Sequence, residues 1–257
     1  MSLRERFFRE IGSGAALPAP VGEPVTEADI PSLPEPARRY LRFMGVVGRP
    51  LDRAFSVGFS GRFRLRPDGP WMACEAWQYS LARPISRVFH IRIRMAGILP
   101  VVARDTYLDG RGRMLVRAFD RIGLEDATGP ALDVGELVTW LNDAVLLAPS
   151  FLLTPAVSFQ PVDVRSFGLT VEDAGNTASA RVSVGADGAV RAFETTDRFL
   201  EEAGTWTRTR WTTPITAWGT DGGRPVPRGG RAIWHRAEGE FCYAELEPMP
   251  GTLVFPG

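Results

Sequence analysis

Hydrophobic and polar positions along this chain follow two periods. From residue 52 onward the dominant period is two. The runs Phe55–Arg66, Trp71–Ser80, Arg87–Met95, Val101–Leu108 and Arg113–Phe119 are short and rich in aromatic and β-branched residues. Turn-forming clusters separate them: Pro67-Asp68-Gly69-Pro70, Ala82-Arg83-Pro84, Gly97 to Pro100, and Asp109-Gly110-Arg111-Gly112. Alternating runs joined by tight turns predict antiparallel hairpins. The pattern resumes in Val157–Val164, Ser166–Val171, Thr177–Val184, Val190–Thr196, Trp206–Thr212, Arg231–Arg236 and Glu240–Glu247, with Asp187-Gly188 as a further hairpin turn. About a dozen strands without a βαβ rhythm argue against a parallel sheet.

The helical period occurs in three places. Residues 3–11 predict a short helix with Phe7, Phe8 and Ile11 on its apolar side. Ser32 and Glu35 have capping-box spacing, Pro34 suits a first turn and Gly45 a stop, with Ala37, Tyr40, Leu41 and Met44 on one face. Between the two strand groups, Asp133 and Glu136 give a second capping-box start for a helix over Asp133–Leu146, ended by Pro149. Its apolar residues, including Leu137, Val138, Trp140 and Leu141, wrap most of the circumference, and only Glu136, Thr139, Asn142 and Asp143 form a polar stripe. A helix apolar on so many sides is buried on more than one face.

These elements predict a mainly β (α+β) fold: a large curved antiparallel sheet or incomplete barrel, with the central apolar helix packed in or over its concave face. Gly12 to Val25, rich in Pro, Gly and Ala, reads as a linker. The expected organisation is an N-terminal arm and linker over 1–25 and a single β-rich domain over 26–257.

Composition narrows the function classes. The 257 residues are 44% hydrophobic, enough for an independent core. Formal net charge is zero, which argues against electrostatic capture of nucleic acid. All 30 basic residues are arginine, as codon bias in a GC-rich genome would produce. Cys74 and Cys242 form no CxxC and no metal-ligand spacing. No apolar stretch is long enough to span a membrane as a helix. Arg4, Arg6 and Arg9 precede no apolar h-region, so the sequence as it stands predicts a cytoplasmic protein. A periplasmic or membrane-anchored one is expected if a native leader has been replaced by Met-Ser-Leu.

Candidate chemistry is sparse. No GxSxG elbow, Walker A loop, HExxH or EF-hand loop is present, and Gly58-Phe59-Ser60-Gly61 is one residue short of the elbow. With only His90 and His235, a three-histidine metal site is excluded, and neither cofactor nor metal is predicted. His90 shares a polar strand face with Arg92 and Arg94 and is expected to be exposed. Arg62, Arg64 and Arg66, Arg113 and Arg117, and Arg208 and Arg210 also share faces. Two readings stand for these arrays: solvated faces neutralised by acids, or a convex basic surface for anionic lipid. Glu75 falls among Trp71, Trp77 and Tyr79, and Asp105 shares a face with Val101, Ala103 and Tyr107. Either acid is a catalytic candidate, together with Arg104 or Tyr107, if it faces the concave interior.

Four segments carry a resemblance as a set: LPEPARRYLRFMGVVGRP (33–50), ARDTYLDGRGRML (103–115), GELVTWLNDAVLLAPSFLL (135–153) and VPRGGRAIW (226–234). In order and spacing they resemble a bacterial family of unknown function, from about residue 26 onward. Long antiparallel strands with an apolar central helix are similar to the LolA-like half-barrels of the lipoprotein-carrier superfamily. That resemblance implies a curved sheet holding acyl chains under a helical lid, though the chain departs from it in showing no signal peptide or lipobox cysteine. The expected function is binding of a lipid or other hydrophobic ligand in a concave cavity, with Trp71, Trp77, Tyr79, Tyr107, Leu137, Trp140 and Leu141 as lining residues. An enzyme using a carboxylate of the same cavity, and an interaction scaffold making peripheral membrane contact through a basic convex face, are the alternatives.

Overall fold

A computed structural model describes residues 2–12, 22–95, 99–119, 121–202 and 204–255. Most of the expected linker and part of the Gly97 to Pro100 turn lie outside these residues. Period-two alternation becomes six consecutive strands: β1 (Ala54–Phe63), β2 (Met72–Leu81), β3 (Ser86–Met95), β4 (Leu99–Leu108), β5 (Arg111–Ala118) and β6 (Ile122–Thr128). Seven more follow: β7 (Val157–Asp163), β8 (Ser166–Asp173), β9 (Asn176–Val184), β10 (Val190–Glu202), β11 (Thr205–Asp221), β12 (Arg224–Arg236) and β13 (Gly239–Pro248). All thirteen pair antiparallel in one curled half-barrel sheet of order β6-β5-β4-β3-β2-β1-β13-β12-β11-β10-β9-β8-β7. Each half is a meander of hairpins, and β1 joins them by pairing with β13, from Phe59 opposite Pro248 to Phe63 opposite Ala244.

Strand β6 was not expected. Its sequence, Ile-Gly-Leu-Glu-Asp-Ala-Thr, is almost wholly exposed at a sheet edge, so no alternation marks it. Strands β10, β11 and β12 also run longer than the alternation suggests. Pro214, Pro225 and Pro227 and the Gly222-Gly223 pair interrupt the apolar pattern, yet the ladder continues past them to Asp221 opposite Arg224. Gly222 and Gly223, at φ +54° and +75°, supply the two positive angles of a tight hairpin turn.

The chain leaves the sheet at edge β6 and re-enters at edge β7, and helix α3 (Pro130–Leu147) makes that crossing over the concave face. It packs against β5 on one arm and β9 and β10 on the other. Leu137, Val138, Leu141 and Val145 are fully buried, each side chain contributing about 1.5–3 kcal/mol. Helix α2 (Glu35–Phe43) covers the same side, its Tyr40 hydroxyl donating to the Val145 carbonyl at 2.8 Å and its ring packing 5.5 Å from Phe167. Neither expected capping box forms. Helix α2 starts at Glu35 behind Pro34, and α3 starts at Pro130 behind Gly129 (φ +126°). Asp133 instead accepts the Gly112 N–H at 2.7 Å, tying α3 to β5.

Helix α1 (Leu3–Gly12) lies on the opposite, convex face against β2 and β3. Leu3 and Phe7 bury themselves in a second, smaller apolar cluster with Ala54, Trp77, Tyr79, Val88 and Val102. Phe7 meets the His90 ring edge-on at 5.7 Å. His90 is therefore buried rather than exposed, its Nε2 2.9 Å from Glu10 of α1.

Candidate ligand-binding cavity

Between the concave face and α3 lies a cavity of about 480 Å³. Strand parity explains its walls. On β3, Arg87, Phe89, Ile91 and Ile93 point inward, and on β4, Val101, Ala103 and Asp105 do the same. Phe59, Met114, Val116, Trp211, Ile215 and Leu246 continue the apolar surface across β1, β5, β11 and β13. The roof comes from α3, and here its polar stripe finds its place: Glu136, Thr139, Asn142 and Asp143 all line the cavity, followed by Leu146 and Leu147.

The polar end is a buried ionic network. Arg87 is 4% exposed; its Nε donates to Asp143 at 2.8 Å and its Nη1 to Glu136 at 3.0 Å. Gln78 Nε2 also donates to Asp143 at 2.8 Å, and Thr213 to Asn142 at 2.6 Å. Burial works against the charge on Arg87, but Asp143, Glu136 and Asp105 outweigh it and hold its pKa above the usual range. Across the cavity, Arg198 stacks 4.4 Å over Trp211 and 5.4 Å from Trp234, reaching the Tyr243 hydroxyl at 3.4 Å.

Asp105 is the acid this network leaves over. Its Oδ1 is screened from solvent and accepts no hydrogen bond among the described residues. Burial, reinforced by the neighbouring Glu136 charge and opposed by Arg87 and Arg198, pushes its pKa up to about 7. Burial also raises Glu136, against the pull of Arg87. Glu125 is raised by burial and then by Glu201, which places the β6 edge near the end of β10.

The residues expected to line the cavity are distributed elsewhere. Trp77 and Tyr79 sit on the convex face under α1, and Glu75 accepts the Trp77 indole N–H there at 2.8 Å. Arg104 is convex too, paired with Glu10. The guanidinium groups of Arg62 and Arg64 lie 4.7 and 4.6 Å from the centroid of the Trp71 ring. Tyr107 is fully buried, donating to Asp173 at 2.8 Å outside the cavity lining. Leu137, Trp140 and Leu141 pack the other faces of α3, with Trp140 donating to the Leu81 carbonyl at 2.9 Å and stacking on Phe151. Of the candidates named from the sequence, Asp105 alone reaches the cavity wall.

Acids pair with members of three arginine arrays: Arg62–Glu245, Arg113–Asp126, Arg208–Asp197 and Arg210–Glu194. Cys74 and Cys242 are free thiols. No group of three or more potential metal ligands occurs among the described residues, and no described helix is long and apolar enough to cross a membrane.

Comparison with known proteins gives a family match and a structural likeness. A family model described as a family of unknown function, DUF6544, matches residues 23–246, a span that contains all four segments noted in the sequence. No curated protein matches the chain. The crystal structure of a LolA superfamily protein from Nitrosomonas europaea is 15% identical, covering 86% of this chain and 94% of that one with a TM-score of 0.43.

Proposed function

The chain belongs to DUF6544, a family whose description names no activity, and from the cavity itself we propose that it binds an amphipathic small molecule. The apolar body of the ligand lies along Phe89, Ile91, Ile93, Val101 and Leu246, and its polar end meets α3 near Arg87, Glu136, Asp143 and Asp105. One observation carries the reading: a cavity of about 480 Å³ between two otherwise well-packed layers, with polar groups gathered on one wall. Its size falls within the range of roughly 300–1,000 Å³ common to small-molecule sites, which combine apolar walls with a few placed polar groups.

Native mass spectrometry of gently purified protein, with organic extraction of the same sample, tests this directly. A co-purifying amphiphile, or uptake of a fluorescent fatty acid by the apo protein, is the expected result. Filling the cavity from either arm, by Ala103→Trp or Ala232→Trp, should weaken uptake at least about tenfold, or roughly 1.4 kcal/mol, with the circular dichroism unchanged. A clean apo mass with no uptake by wild type rejects the reading.

A second reading, general acid–base catalysis, is favoured by Asp105 alone. Its pKa of about 7 suits proton transfer near neutrality. It requires a turnover that disappears in Asp105→Asn while ligand uptake persists.

A further inference from the structure

The cavity leaves unexplained a group of exposed residues at one corner of the sheet. Phe119, Ile122 and Leu124 are 56%, 59% and 59% exposed, all on the β5–β6 hairpin. Phe119 also holds φ at +49°, a left-handed conformation unfavourable for a bulky residue. Folding gains nothing visible from an exposed phenylalanine held this way, and such outliers gather at functional sites.

Arginines flank the hairpin, and strand register places them. The Phe119 N–H donates to the Pro100 carbonyl at 2.9 Å, and Pro100 stands opposite Arg94. In the next row, Arg92, Val102 and Arg117 stand side by side across β3, β4 and β5, with Arg104 one row further along. Arg121 follows in the hairpin itself and is exposed. Arg6 of α1 lies close by, its pKa lowered by burial and then by Arg117. Of the neighbouring carboxylates among the described residues, Glu10 is held by His90 and Arg104 and Asp126 by Arg113, whereas Glu75 accepts only the Trp77 N–H while standing opposite Arg92, and Glu125 forms no ion pair; Asp120 lies outside the described residues. Among the described residues, Arg92, Arg94, Arg117 and Arg121 have no ion-pair partner.

The corner also adjoins the cavity. The last residues of β1, β3 and β5 lie along the same end of the sheet, and Leu65, just past β1, lines the cavity while being 56% exposed. Val116 and Glu125, on the strands of the apolar hairpin, line it as well.

We propose that this corner docks on an anionic lipid surface. The side chains of Phe119, Ile122 and Leu124 enter the headgroup layer, and Arg92, Arg94, Arg117 and Arg121 meet lipid phosphates. Apolar residues flanked by these four arginines match such a surface in both chemistries, since apolar burial and attraction to anionic lipid add in interfacial binding. The docked orientation holds the cavity opening at Leu65 toward the bilayer.

Flotation of the full chain with vesicles is the test, using phosphatidylcholine alone or mixed with phosphatidylglycerol. Binding is expected to the mixed vesicles and not to pure phosphatidylcholine, and to be lost toward about 1 M salt, where the screening length is roughly 3 Å. The triple variant Arg94→Glu/Arg117→Glu/Arg121→Glu should weaken it at least about 100-fold. Phe119→Ser/Ile122→Ser/Leu124→Ser should weaken it independently, and a tryptophan at Phe119→Trp should shift its emission to the blue on mixed vesicles. Equal binding to both vesicle types, or none to either, overturns the proposal. So does a concentration-dependent dimer abolished by the serine variant, which assigns the apolar β6 edge to a second copy of the chain. Fatty-acid uptake without vesicles reads the cavity alone, so a failure of docking leaves that assignment separately testable.

Discussion

Arg87 and Asp105 both point into the concave interior, and the surroundings treat their charges in opposite ways. Arg87 is held between two carboxylates and stays ionised. Asp105 is screened without a hydrogen-bond donor to its Oδ1 and binds its proton more tightly when folded, its pKa rising from 3.8 to about 7. The folded state therefore holds more protons than the unfolded chain between those values, and stability falls as pH rises through that window. Asp105→Asn removes the penalty while keeping the shape. It is expected to raise stability at about pH 8 by on the order of 2 kcal/mol, the gain vanishing toward about pH 4; urea midpoints across pH measure it. An equal gain at all pH values would contradict the assignment. Alternation groups residues by face but does not say which face is concave. Trp77, Tyr79 and Glu75 do share a side, the side under α1. The better signal on β3 was Arg87, a cation in phase with Phe89, Ile91 and Ile93.

For single elements, the sequence was most legible where one period persisted. The breadth of the apolar surface of α3 marked it as buried on several sides, and its four-residue polar stripe proved to face the cavity. Its start was misplaced because Asp133 and Glu136, spaced like a capping box, serve tertiary contacts with Gly112 and Arg87. Strand β6 was invisible because an exposed edge imposes no alternation. The approach of α3 to β5 rests on one missing side chain: a Cβ at Gly112 would overlap the Leu132 carbonyl and the Asp133 nitrogen. Backbone atoms cannot rotate aside, so Gly112→Ala should displace the start of α3 and cost about 1–3 kcal/mol. Chemical denaturation reads the loss, and an unchanged midpoint would show that this helix end is free to move.

Across the whole molecule, contacts between remote turns hold the curl. The Asp109-Gly110 and Ala174-Gly175 turns have positive φ at both residues, 50° and 75° in one and 48° and 84° in the other, as tight hairpin turns of this type require. They meet tip to tip: Tyr107 donates to Asp173 at 2.8 Å, and Asn176 donates to the Gly110 carbonyl at 2.8 Å. A methyl at Gly110 would collide with the Ala174 side chain. Gly110→Ala should therefore lower stability by about 1–2 kcal/mol from the left-handed backbone alone and also alter ligand uptake, although Gly110 does not line the cavity. Parallel measurement of urea midpoint and fatty-acid affinity checks both, and unchanged affinity would uncouple the turns from the cavity. Neither this meeting nor the pairing of β1 with β13 follows from local pattern, because each joins residues far apart in the chain. Hairpin meanders were readable; their closure was not.

That closure has a mechanical consequence. A sealed barrel is a hoop whose girth is set by its strand number and stagger. This sheet is a split ring, with unzipped edges at β6 and β7 and a clasp of a few hydrogen bonds at Tyr107, Asp173 and Asn176. Widening a split ring strains the clasp and bends the ladder elastically, leaving every rung between neighbouring strands in place. The bore is thus a compliant dimension, and the amphiphile proposed for the cavity would be accommodated over a range of girths at a graded cost.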